Sequence, residues 1–188
     1  HYKNVRSRLM GIPTLIATNT HASAVSSSEF TSGIDGTYDE YMIVYTGIVL
    51  AAQNQFQFNG SIDGGSNYNV TKTTTYWSSV HTEDDSSIAE ASYKTGKDRA
   101  ESILAQDLTK ELNNSADDGA AGIIHLFSPS NTTYVKHFYA RTNSHSTSGA
   151  AVDAFIGGYF NTTSAITAIK FAMSTGNMDG KFKMWGVK

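Results

Sequence analysis

Residues 40–49 have the sequence EYMIVYTGIV and overlap the longest apolar stretch of the chain, Tyr41 to Ala52. Valine, isoleucine and tyrosine favour β-strands. Apolar and polar residues do not alternate between Tyr41 and Tyr45, which is typical of a strand covered on both faces. We therefore predict a central strand from Glu40 to Val49, covered by an opposite sheet on one face and by a neighbouring loop or subunit on the other.

Short runs of similar composition lie on both sides of this strand and are separated by turn residues. The segment Asp63-Gly64-Gly65-Ser66-Asn67 has the composition of a tight hairpin turn. Many short strands joined in this way are typical of a sandwich. We predict an all-β, jelly-roll-like antiparallel β-sandwich, with further strands at Thr14 to Thr20, Ala24 to Phe30, Gln55 to Ile62, Tyr68 to Trp77, Ala120 to Phe127, Tyr134 to Thr142, Ala154 to Asn161, Ala165 to Ser174 and Lys181 to Val187.

One stretch, Ala100 to Leu112, has a helical composition. Ile103, Leu104, Leu108 and Leu112 have helix-compatible spacing, but so short a segment equally fits a strand with a long loop. The sequence therefore predicts one short helical or irregular insertion within a single sandwich domain, residues 13–188.

Composition and charge argue against several classes of partner. The chain of 188 residues has a formal net charge of -3, a pI near 6.0 and no cysteine. This charge gives no cationic field for nucleic acid or an anionic membrane, and no apolar run reaches the length of a membrane span. Without cysteine there is neither a disulfide nor a thiolate metal site. We expect neither nucleic acid nor membrane as a partner.

The titratable residues form no catalytic or metal-binding motif. The six histidines are not paired at the i, i+2 or i, i+4 spacing of a local metal site, and there is no G-x-S-x-G nucleophile elbow. The acidic clusters Glu83-Asp84-Asp85 and Asp117-Asp118 consist of neighbouring residues, whose carboxylates diverge on a loop. We expect no enzymatic activity, no metal and no cofactor.

Several longer strings of the sequence are distinctive. They are residues 31–41 (TSGIDGTYDEY), 56–60 (FQFNG), 66–69 (SNYN), 125–130 (HLFSPS), 135–138 (VKHF), 158–166 (GYFNTTSAI), 176–180 (GNMDG) and 183–186 (KMWG). With these strings the chain resembles a family of virion structural proteins from phages of marine bacteria. The resemblance covers roughly Thr14 to the C-terminus and includes no catalytic motif. It implies a β-rich fold and a virion location.

Two functions are compatible with these features. The first is a structural protein of a bacteriophage virion, either a capsid decoration protein or a fibre component, which acts through protein–protein assembly and is expected to be a homotrimer. The alternative is a carbohydrate-binding module at a tail or head fibre tip, which recognises a host glycan through exposed aromatic rings. Tyr76 and Trp77 are the predicted contact residues. An exposed aromatic row beside a groove favours glycan binding, whereas burial of the rings at subunit contacts favours assembly.

The basic residues Lys3, Arg6 and Arg8 lie in a segment, residues 1–12, that also contains apolar residues but no regular pattern. Segments of this kind often become ordered on docking. We predict that residues 1–12 form an arm that attaches the domain to an acidic patch on another virion protein. The alternative is a frayed terminus. Because the chain starts with His1 rather than Met, a cut or processed start is also expected.

Overall fold

The computed structural model describes residues 11–51, 53–115 and 117–188. These residues form thirteen strands and no helix, and thus include no helix that is long and apolar enough to cross a membrane. The strands are β1 (Thr14–Val25), β2 (Ser27–Phe30), β3 (Glu40–Leu50), β4 (Phe56–Ser61), β5 (Lys72–Thr82), β6 (Ile88–Tyr93), β7 (Arg99–Ser102), β8 (Gln106–Asp107), β9 (Ala120–Phe127), β10 (Lys136–Ser146), β11 (Ala150–Phe160), β12 (Ala168–Met173) and β13 (Met178–Val187).

The strands pair into two antiparallel sheets that form a sandwich, which confirms the predicted fold class. In the described part of the chain, the large sheet has nine strands in the order β1-β13-β3-β9-β10-β11-β5-β6, with β7 also paired to β5. The small sheet has the order β2-β12-β4-β8. A jelly roll has eight strands in a double Greek key. That specific topology is not confirmed for these sheets of nine and four strands.

Aromatic rings from both sheets form the centre of the core. Phe58 of the small sheet makes an edge-to-face contact with Phe138 of the large sheet, with 5.1 Å between ring centroids. Phe171 of β12 lies 5.1 Å from Phe182 of β13. The inward positions of β3, including Tyr41 and Tyr45, are fully buried, whereas Met42 and Val44 on its outer face are half-buried. The predicted central strand is therefore covered completely on one face and partly on the other.

The turn predicted at Asp63 to Asn67 exists, but it does not join a hairpin. Gly64 and Gly65 have φ values of 70° and 95°, in the left-handed region that favours glycine. Hydrogen bonds from the Ser61 hydroxyl and from Asn67 hold the pKa of Asp63 down to about 2. However, β4 before the turn belongs to the small sheet and β5 after it to the large sheet. The hairpin prediction was wrong because local turn geometry does not determine which strand a segment pairs with.

The segment from Ala100 to Leu112 contains no helix. It includes the end of β7 and the short strand β8, whose Asp107 is almost completely buried. The Asp107 carboxylate accepts a hydrogen bond from Gln57 and forms an ion pair of 3.1 Å with the Nζ of Lys97. The insertion is therefore irregular and extended, fixed by pairing with β4 and by side-chain contacts. Strand β6 was not predicted. Strand β1 continues to Val25, across the gap between the strands predicted at Thr14 to Thr20 and at Ala24 to Phe30.

Two buried tyrosines provide a test of the hydrogen bonding in the core. The Tyr45 hydroxyl is hydrogen-bonded to Thr142, whereas the Tyr76 hydroxyl has no partner among the described residues. We expect Tyr45→Phe to lower the free energy of unfolding by about 1–2 kcal/mol, because it leaves the Thr142 hydroxyl buried without a partner. Tyr76→Phe should be neutral, or stabilise by up to about 1 kcal/mol. Urea unfolding measures both, and equal losses would contradict these assignments.

Candidate functional site: an aromatic sheet face

The outer face of the large sheet is rich in aromatic side chains. Along β10, buried residues alternate with the exposed residues His137, Tyr139, Arg141 and Asn143. The strand register places the outward residues of the neighbouring strands beside them. We call this surface the aromatic face; its ring-bearing and thioether residues are Met42, Trp77, Tyr93, His125, Phe127, His137, Tyr139, Phe155, Tyr159 and Trp185.

One row of side chains crosses four strands, from the middle of the aromatic face to its β6 side. Arg141, Phe155, Trp77 and Tyr93 are successive partners in the register of β10, β11, β5 and β6. Trp77 is 45% exposed and Phe155 43% exposed. The Arg141 guanidinium lies over the Phe155 ring, 4.8 Å from its centroid, and its Nη2 is 2.7 Å from the Asp153 Oδ2. This row thus presents three aromatic rings, with one internally paired charge at its β10 end.

The rings of the aromatic face pack against one another. His125 and Tyr139 on neighbouring strands stack with 4.5 Å between centroids and an angle of 18° between planes. The two rings are stacked in the direction from one strand to the next. Their planes are therefore perpendicular to the sheet, with the ring edges towards solvent. Trp77 and Tyr93 contact edge to face at 5.3 Å. The face therefore presents ridges, whereas a sugar-stacking platform requires open ring faces.

A shallow depression interrupts the ridges at Gly157. This glycine lies between Tyr139 and Thr75 across the strands and between Phe155 and Tyr159 along β11. A Cβ atom at Gly157 would meet only the Thr75 Oγ1, at 3.7 Å. No neighbouring atom is close enough to require a glycine at this position. The missing side chain leaves space on the outer face that a protruding group of a partner can occupy.

A cleft of about 640 Å³ lies at one end of the aromatic face. Phe127 and His137 belong to both surfaces, so the cleft is continuous with the face. Tyr134 forms part of its wall and is 69% exposed. Asn131 and Thr163 also line the cleft. It therefore combines aromatic and polar groups in an open concave site.

The structure separates the two aromatic residues that the sequence had suggested for binding. Trp77 lies on the aromatic face, whereas Tyr76 is 0% exposed and points into the core. Adjacent residues of a strand point to opposite faces of the sheet, so Tyr76 is not available as a surface contact. The predicted arm residues Lys3, Arg6 and Arg8 lie outside the described residues.

Sequence reasoning missed Tyr139 and Phe155, two of the most exposed rings of the face. The sequence does contain a signal for them, because each is next to another large apolar residue in the same strand, as in Phe138-Tyr139 and Phe155-Ile156. Because strand neighbours point to opposite faces, one member of each pair must lie on the outer face whichever face is buried.

Acidic and histidine side chains also meet at the borders of the aromatic face. His125 contacts Glu40, and the His145 ring lies between Asp118 and Glu83, with a distance of 2.9 Å from its Nδ1 to the Asp118 Oδ1. Across residues 11–51, 53–115 and 117–188, no group of three or more histidine, aspartate or glutamate side chains is placed to hold a metal ion.

Comparison of the chain with protein-family models, with curated proteins and with solved structures found no match. The functional argument for this chain therefore rests on the geometry of its own described residues and on its sequence.

Proposed function

We propose that the chain is a structural protein of a bacteriophage virion, either a capsid decoration protein or a fibre component, and that it acts through protein–protein assembly. The aromatic face is its assembly surface. The observation that carries this proposal is the group of exposed rings on the aromatic face, which includes Trp77, Phe155 and Tyr139. The resemblance of the sequence to phage virion proteins supports the virion location.

The character of the aromatic face favours protein as its partner. Soluble monomers rarely expose large contiguous apolar patches, and such patches mark interaction sites. Tryptophan, tyrosine, phenylalanine and arginine are the residues enriched in protein interfaces. The upright rings of His125 and Tyr139 and the depression at Gly157 suit interdigitation with side chains of another protein surface.

The first test is incorporation of the chain into phage particles. We expect mass spectrometry of purified particles to detect it in many copies. Trp77→Ser combined with Phe155→Ser should lower incorporation at least about tenfold, because the change removes two large exposed rings of the interface. The matched control is Ile62→Ser with Ile103→Ser, two exposed apolar residues away from the aromatic face.

The control variant should be incorporated at the normal copy number. Circular dichroism should show a β-dominated spectrum for all variants, so that a loss of incorporation is not a loss of folding. Absence of the wild-type chain from particles would contradict the virion function. Normal incorporation of the Trp77→Ser/Phe155→Ser variant would contradict the role of the aromatic face.

A second candidate function, recognition of a host glycan, is favoured by the cleft next to the aromatic face. Its exposed Tyr134 ring lies among polar groups of Asn131 and Thr133, a combination found in carbohydrate sites. The test is binding of the wild-type protein to a glycan array. Binding that is lost in Tyr134→Ala but kept in Trp77→Ser/Phe155→Ser would assign glycan recognition to the cleft. Absence of binding to any glycan would argue against this candidate.

A further inference from the structure

The two sides of the aromatic face carry opposite charge. Lys181 and Lys183 occupy outward positions on β13, which we call the basic margin. At the opposite side of the face, where β5 and β6 are five and six strands away from β13, the turn between these two strands contains Glu83, Asp84 and Asp85, and Glu90 follows in β6; these four residues are the acidic margin. The rings of the aromatic face lie between the two margins.

Apart from Asp85, which pairs with His81 at 2.9 Å, these charges are largely available to an external partner. Lys181 and Lys183 make no ion pair within the part of the chain that the structure describes, and neither does Glu90. The Glu83 side chain is mostly exposed, and its only ion pair among the described residues is with His145, at 3.3 Å. Hydrogen bonds from Ser86 lower the pKa of Asp84, so this carboxylate is ionised at neutral pH.

The arrangement of the margins is self-complementary. Strand β10 is the fourth of the seven strands from β13 to β6. Consider two copies whose aromatic faces face each other, related by a two-fold axis that runs parallel to β10 midway between the sheets. The basic margin of each copy then lies over the acidic margin of the other, which gives two such contacts. In a cyclic oligomer, the basic margin of each copy would likewise meet the acidic margin of the next copy, with one such contact at each interface.

The size of the aromatic face also fits a contact between copies. Seven strands span about 29 Å, and the outward residues of β10, from His137 to His145, extend about 26 Å along the strand, given ordinary strand spacings. The product is roughly 750 Å², close to the ~800 Å² that each partner contributes to a stable interface. A small ligand would leave most of this area uncovered.

We propose that the occupant of the aromatic face is a second copy of this chain, with the basic margin of each copy against the acidic margin of its neighbour. This inference rests on the proposed assembly function and names the partner. The rings supply the apolar contact area. The opposite margins fix the orientation, because like charges would meet in the alternative register.

The experiment measures self-association of the purified chain by analytical ultracentrifugation and native mass spectrometry. We expect the wild-type protein to form dimers or trimers. Reversal of one margin, by Lys181→Glu with Lys183→Glu or by Glu83→Lys with Glu90→Lys, should weaken association at least about tenfold, since it places like charges opposite each other. A chain that carries all four changes should associate within about threefold of the wild type.

Rescue by the four-fold variant separates charge pairing from damage to the fold. The controls Lys110→Glu and Glu111→Lys change exposed charges outside the aromatic face and should leave association unchanged.

A protein that stays monomeric up to about 0.1 mM, or four changes that fail to restore association, would overturn the inference. If the aromatic face is still needed for incorporation of a monomeric chain into particles, the assembly function stands and only the partner is wrong. If the chain self-associates with rescue but is absent from particles, the contact between copies stands and the virion function is wrong.

Discussion

Phe171→Ala is expected to lower the free energy of unfolding by about 4 kcal/mol, the typical cost of removing a large aromatic side chain from a core. Phe171 lies on β12, between two partners of the small sheet, and is fully buried. Its ring stacks on Phe56 within the small sheet and approaches Tyr45 and Phe182 of the large sheet, with centroid distances of 5.8, 5.9 and 5.1 Å. The truncation would therefore open a cavity at the contact between the two sheets.

The control for this prediction is Phe155→Ala on the aromatic face. The same side chain is removed, but in the isolated chain it is close to half exposed. We expect a loss below about 1 kcal/mol, because little buried area is lost and no closed cavity forms. Chemical denaturation of both variants at low protein concentration measures the difference. Similar losses for the two variants would contradict the assignment of inner and outer faces.

The second large effect is a pH dependence of stability that comes from Lys72. This lysine is 0% exposed, and its Nζ donates a hydrogen bond of 2.7 Å to the Leu104 carbonyl oxygen. Burial, together with the nearby charge of Arg99, lowers the pKa of Lys72 to about 7 from 10.5. The folded protein favours the neutral amine, whereas the unfolded chain keeps the ammonium form up to about pH 10.5.

Between about pH 7 and 10.5 the unfolded chain thus holds a proton that the folded protein has released. The contribution of Lys72 to stability rises with pH in this window, by up to about 1.4 kcal/mol per pH unit, and is lost as the pH falls towards 7. Lys72→Met removes the titration. We expect the stability of the wild type relative to Lys72→Met to increase from pH 7 to pH 10.

Urea unfolding at several pH values measures this difference. Subtraction of the Lys72→Met curve removes the effect of other groups, such as the buried Tyr45, whose pKa is raised by burial. Lys110→Met, a change at an exposed lysine, should give a curve parallel to the wild type. If Lys72→Met is also parallel to the wild type across this range, Lys72 is not buried as a neutral amine.

Sequence patterns predicted strands well where composition and period agree. The strand from Ala120 to Phe127 has the predicted bounds, and β3 extends one residue beyond its predicted end at Val49. The turn at Asp63 to Asn67 was also correct as a turn. Its strands enter different sheets because that choice depends on contacts such as Phe58 with Phe138, which lie 80 residues apart in the sequence.

The candidate site was predicted only in part, for a similar reason. Trp77 was identified because it follows a polar strand segment, but its neighbour Tyr76 was placed beside it although the two point in opposite directions. Tyr93 and Phe155 join Trp77 only through the register of β5, β6 and β11. A single sequence gives the direction of side chains along one strand, whereas the row across strands requires the pairing order.

The most direct test of the central claim is an electron cryomicroscopy map of phage particles, at a resolution that traces this chain. The account predicts that Trp77, Tyr139 and Phe155 are covered by protein in the assembled particle, with Lys181 and Lys183 close to acidic groups of a neighbouring copy. A map in which these rings face solvent while another surface of the sandwich makes the contacts would contradict the claim.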